Sequence, residues 1–125
     1  MKQVQDAIAP TGIACFAGVW RPTTESPHEP ATYIAYTCNT HETEHYDDRC
    51  TKYYVNVYLN LYSRSDPTPV IRSVVNAMRA AGFDMSSVEE TETADVNGQY
   101  RTPMTFGISI KEEEAWASIP TPSSN

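Results

Sequence analysis

The sequence predicts an α+β domain: a mainly antiparallel sheet of four to five strands with two helices packed on one face. Three observations carry that expectation. Residues 53–62 alternate almost strictly, with Tyr53, Val55, Val57, Leu59 and Leu61 on one side and Tyr54, Asn56, Tyr58, Asn60 and Tyr62 on the other. Residues 70–81 instead repeat Val70, Ile71, Val74, Val75, Met78 and Ala81 at helical spacing. The order helix, strand, strand, long strand, helix, strand, strand then favours antiparallel neighbours over a repeating strand–helix–strand pattern.

Taken along the chain, residues 2–9 predict a short helix with Val4, Ala7 and Ile8 on one side, ended by Pro10 and Gly12. Alone it would be marginal, so it must dock on the domain or on a neighbour. Ile13 to Trp20 reads as a strand, with Gly18 permitting a bend. Three prolines in residues 21–30 predict a loop. Tyr33 to Cys38 is a second strand, and Asn39 to Arg49 a polar connection into the long one, so the pair reads as a hairpin with an extended loop.

The long strand spans ~33 Å at ~3.3 Å per residue. Asp66-Pro67 opens the main helix and Gly82 closes it. That helix is the expected cover for Val55, Val57, Leu59 and Leu61. Residues 86–94, acidic and threonine-rich, predict a solvent-washed strand. Asn97-Gly98 signals a hairpin turn, and Arg101 to Ile110 returns with Met104, Phe106, Ile108 and Ile110 inward. Pro103 is expected near that strand's start or at an edge. Residues 1–111 make one domain, and 112–125 a polar tail expected to be partly disordered.

A chain of 125 residues carrying 40% apolar residues can build a core without metal or disulfide staples. Its formal charge of −7, with nine scattered cations, argues against a nucleic-acid surface. No stretch reaches transmembrane length, and residues 1–6 lack a signal-peptide apolar run, so a cytosolic protein is expected. Three cysteines fit reduced thiols better than a disulfide framework.

The most specific local pattern is Cys38, His41, His45 and Cys50, spaced C-x2-H-x3-H-x4-C. Four such ligands could close a tetrahedral zinc site and make a small zinc-stabilised protein-binding module. Against this, Cys38 falls in phase with Ile34 and Tyr36 as a core residue, and a polar loop gathers histidines by chance. Asp47 and Asp48, with Glu42 and Glu44, could be read as a hard-cation site, but no calcium loop surrounds them and adjacent aspartates suit a solvated turn. No nucleophile–base pairing and no glycine-rich phosphate loop is visible, so no catalytic residue and no cofactor is assigned. The stripe Tyr54, Tyr58 and Tyr62 has two readings. It is either a half-covered sheet face with hydroxyls reaching water, or a subunit interface, where tyrosine is enriched and charge depleted.

Over about residues 2–111 the chain resembles the tail-terminator, or tail-completion, proteins of long-tailed bacteriophages and prophages. The carriers are the short N-terminal helix before Thr11-Gly-Ile-Ala-Cys-Phe-Ala-Gly18, and the Pro-rich loop entering Pro30-Ala-Thr-Tyr-Ile-Ala-Tyr36. They continue with Tyr46-Asp-Asp48 before the strand Tyr54–Tyr62, then Met78-Arg-Ala-Ala-Gly-Phe83 before a strand at 100–110. The resemblance implies a non-enzymatic protein that forms a ring, commonly a hexamer, which caps the tail tube and joins it to the head–neck connector. Its implied partners are copies of itself, the tail tube protein and the connector proteins, with DNA only as cargo through a lumen and no membrane. Its implied location is the host cytoplasm during assembly, then the tail or neck of the virion. The interface candidates are Tyr54, Tyr58, Tyr62, Trp20, Trp116, Asp47 and Asp48. An acidic strand at Val88–Thr93 would line the lumen, where like charge keeps DNA from sticking.

Overall fold

A computed structural model of the chain describes residues 2–18, 29–46, 49–92 and 98–111, without side chains over 44–46 and 49–51. In chain order the elements are α1 (Lys2–Ile8), a 3-10 turn (Ala9–Thr11), β1 (Ala14–Ala17), β2 (Thr32–Tyr46), β3 (Arg49–Ser63), α2 (Thr68–Ala80), β4 (Asp84–Val88) and β5 (Tyr100–Lys111). The five strands form one sheet in the order β1-β2-β3-β5-β4. Three of its pairings are antiparallel, and β1 runs parallel to β2. The fold is α+β.

The alternation in β3 decides where the core lies. Val55, Val57, Leu59 and Leu61 are fully buried, and the register sets Ile34, Tyr36 and Cys38 of β2 beside them on one flank. Met104, Phe106 and Ile108 of β5 flank them on the other. Both helices close this face. α2 contributes Val74 and Met78, α1 contributes Val4, Ala7 and Ile8, and all join one cluster with Leu59 and Phe106. Burying five or six such side chains on β3 and its covering helices is worth of order 10 kcal/mol before chain entropy is counted, at about 1.5–3 kcal/mol per side chain.

The helix ends follow their sequence signals. Asp66 accepts hydrogen bonds from the Thr68 backbone N–H (3.1 Å) and hydroxyl (2.8 Å), which hold its carboxyl below the usual carboxylate range. At the other end Gly82 takes φ 94°, its N–H bonding Arg79 C=O while the Phe83 N–H bonds Met78 C=O. That pair of bonds is a Schellman closure, and it needs the left-handed residue that glycine supplies. α1 is extended by its 3-10 turn, where the Thr11 hydroxyl donates to Ile8 C=O at 2.6 Å.

Three expectations are corrected. The polar stretch 39–46 is not a connection but the second half of β2, which pairs with β3 residue by residue as far as Glu42 and then through a bulge. Hydropathy hid it, because Asn39 and His41 on one face and Thr40 and Glu42 on the other are all polar, and the ladder supplies what alternation does not. β1 is shorter than Ile13–Trp20 reads: Gly18, at φ 83°, ends it while its N–H bonds Tyr36 C=O at 2.8 Å. The strand after Phe83 is Asp84–Val88, not 86–94. Glu89 N–H reaches Pro103 C=O, but proline has no N–H to return, and among the described residues only the Glu92–Arg101 bridge follows. Pro103 itself sits inside β5, opposite Asn60, and the N–H it lacks belongs on the β4 side, where pairing stops. Residues 19–28, which include most of the expected loop at 21–30, Asn97 of the expected turn and the expected tail from 112 lie outside the described residues; Gly98 has φ 74°.

Candidate interface on the uncovered face of the sheet

The even positions of β3 point away from both helices. The register places Tyr33, Ala35, Thr37, Asn39 and His41 of β2 on the same face. It adds Arg101, Pro103, Thr105, Gly107 and Ser109 of β5 on the far side. Among the described residues no helix crosses this face.

At one end the face is aromatic and closed. Tyr33 and Tyr62, directly opposite across the ladder, stack with ring centroids 4.9 Å apart and planes 18° from parallel. Phe16 meets Tyr33 edge-on at 6.0 Å. Such pairs add about 0.5–1.5 kcal/mol beyond area burial. Glu29 anchors beside this stack, accepting from Gln99 Nε2 at 2.7 Å with the Arg64 guanidinium 3.8 Å away. Burial first, then the Glu29 and Tyr62 fields, push the Tyr33 hydroxyl up to about 12.

The middle is an amide ladder. Arg101 Nε donates to Asn60 Oδ1 at 3.0 Å, and its Nη1 pairs with Glu92 at 3.0 Å. Asn56 Nδ2 donates to Asn39 Oδ1 at 3.0 Å, and Asn39 Nδ2 reaches the Tyr58 hydroxyl at 3.4 Å. These bonds orient the amides, so the surface offers donors and acceptors at fixed positions. Tyr58 is 40% exposed, the most open large hydrophobic side chain on the face among the described residues.

At the far end the Tyr54 ring lies across Gly107, and a Cβ there would overlap its hydroxyl and come within 2.7 Å of Cε2. The glycine makes a bed for the ring, a tyrosine covering the gap that a strand glycine leaves. His41 tilts at 45° against Tyr54 with centroids 5.7 Å apart. Nothing in the sequence paired these residues, although a lone glycine inside an alternating strand signals a close approach.

The predicted site residues divide accordingly. Tyr54, Tyr58 and Tyr62 share the uncovered face as read. Trp20, Asp47, Asp48 and Trp116 lie outside the described residues. The Cys/His quartet is not gathered by its spacing. Cys38 and His41 are three apart on a strand and face opposite sides of the sheet, Cys38 against the core and His41 against Tyr54. His45 and Cys50 are opposed in the ladder, but their side chains lie outside the description. Among the described residues no three His, Cys, Asp or Glu side chains converge. Burial raises the thiol pKa of Cys38, and that of Cys15 to about 11, so both stay protonated and unreactive near neutrality. A shallow depression of about 260 Å³ is lined by Asp66, Pro67, Thr68, Thr91 and Tyr100. Within it Asp66 accepts the Thr68 hydroxyl at 2.8 Å as part of the opening of α2.

Among the described residues no helix is long and apolar enough to cross a membrane. No protein-family model matches the chain, and no curated protein matches it.

Proposed function

We propose that this chain is a structural assembly protein of the tail-terminator kind, acting as a ring of copies, six by the resemblance. The ring caps a phage tail tube and joins it to the head–neck connector. It is not an enzyme on this reading, and it passes from the host cytoplasm into the neck of the virion. One observation carries the proposal: half of the sheet's surface is an ordered field of tyrosine and asparagine with no cover from the described helices. Aromatic-rich, charge-poor surface of this kind is what interfaces are made of. The element order in which the chain resembles tail terminators supports the same reading.

The acidic segment after β4, with Glu89, Glu90 and Glu92 exposed, fits a wall that repels passing DNA. Native mass spectrometry of the purified chain, alone and with a phage tail tube protein, tests the proposal. The expected result is a closed ring that binds tube ends and stops their growth. A chain that stays monomeric at every concentration and leaves tube growth unchanged would overturn it.

A further inference from the structure

We propose that the uncovered sheet face of one copy seats the outer face of α2 from the next. The inference rests on the ring reading and names the second half of its contact.

α2 carries two arginines and no carboxylate, in a chain whose formal charge is −7. Val74 and Met78 turn into the core, so Arg72, Asn76 and Arg79 lie on the opposite side, and all three are exposed. Arg72 and Arg79 are two helical turns apart and share one stripe, about 10.5 Å from end to end at ~1.5 Å per residue. Among the described residues no carboxylate pairs with either.

The uncovered sheet face carries the opposite charge along its β4 border. Asp84 opposes Gly107 in the ladder, and Glu89 bonds Pro103 through its N–H, so both fall on the side that carries Tyr54 and Tyr58. Glu92 is held by Arg101, but Asp84 and Glu89 are exposed, and among the described residues no cation pairs with them. Gly107 and Pro103 stand four residues apart on β5, ~13 Å at ~3.3 Å per residue. The carboxylates are therefore spaced like the arginines, within the reach of a side chain. Halfway between them lies the row of Thr105 and the exposed Tyr58.

Direction fixes which group meets which. α2 begins at Thr68, which shares a depression with Thr91 and Tyr100, and it closes at Gly82 beside Ile108. It thus runs the same way as β5. A second copy stacked on the face without being turned over brings its Arg72 to Glu89 and its Arg79 to Asp84, and sets Asn76 above the Tyr58 row. The two sides of this contact are different surfaces, so it is heterologous and repeats from copy to copy until it closes. Complementary charge sets its register and disfavours a copy seated backwards.

Charge reversal tests the contact, because these exposed side chains can change without touching the core. Arg72→Glu with Arg79→Glu makes the helix face and its seat both acidic; Asp84→Arg with Glu89→Arg makes both basic. Each double variant alone should be a monomer by native mass spectrometry where wild type forms rings, with a circular dichroism melt close to wild type. Mixed one to one, the two should form rings in which they alternate, because every joint then pairs opposite charges. Rings from either variant alone, or no assembly in a mixture of the two folded variants, would overturn the contact while leaving the ring reading intact. A wild type without any oligomer removes both. Should a variant melt early, hydroxyl-radical footprinting of the wild type decides. Tyr58 should be oxidised several-fold more slowly in concentrated than in dilute protein, and an unchanged rate would overturn the proposal.

Discussion

The two faces of β3 are built from one ten-residue alternation and do opposite work. On the odd side Val55, Val57, Leu59 and Leu61 have no solvent exposure to speak of and touch both helices' buried residues. On the even side Tyr54, Asn56, Asn60 and Tyr62 are half-buried and Tyr58 is exposed, with their contacts made sideways to neighbouring strands. Stability therefore belongs to the first face, through area removed from water. The second face contributes orientation: its side-chain hydrogen bonds are exposed or part-buried, and each is worth about 1 kcal/mol or less. A surface ordered that carefully for so little stability is available for contact.

The largest effect that would break this contrast comes from a charge on the closed face. Val57→Asp places an unpaired carboxylate between Phe106 and Cys38 rows, and the domain should fail to fold or lose several kcal/mol in urea titrations. A folded variant of wild-type stability would mean the helices do not seal this face.

An intermediate effect separates the two ends of the open face. Gly107→Ala drives a methyl into the Tyr54 ring, which must swing away from its bed. We expect a loss of about 1 kcal/mol that disappears when Tyr54 is also changed to Ala, since alanine is otherwise favoured over glycine in a strand by about 0.5–1 kcal/mol. Additive losses in that double-mutant cycle would show that the ring does not rest on Gly107.

A smaller effect is alkaline. The folded pKa values of Cys15 (about 11) and Tyr33 (about 12) lie above their ordinary values of 9.0 and 10.0. A raised value means that the folded state holds its proton longer. The stability these groups contribute is complete below pH 9 and is lost progressively between pH 9 and 12. Thermal melts at pH 8 and pH 10.5 should differ in that direction, and Tyr33→Phe should remove the part belonging to the higher range.

How much of this was legible follows from which signal each part depends on. Hydropathic period alone gave β3, α2 and β5, because one side of each is greasy and the other is not. It failed for residues 39–46, where both faces of β2 are polar and only pairing with β3 makes a strand. It overextended β4, because the stop is set by Pro103 on a different strand. Tyr54, Tyr58 and Tyr62 were readable as one stripe, whereas the Gly107 bed, the Asn39–Asn56 bond and the Glu29–Gln99 bond join residues brought together only by the sheet order. The Cys/His spacing misled for a related reason. A three-residue step that shares a face on a helix crosses the sheet on a strand.

The division of labour across β3 is tested most directly by urea unfolding of two adjacent truncations under one set of conditions. Leu59→Ala should cost about 3 kcal/mol, as emptied core sites do, and Tyr58→Ala less than about 1 kcal/mol. Equal losses would contradict the account, because they would mean that the tyrosine face is itself packed under a cover.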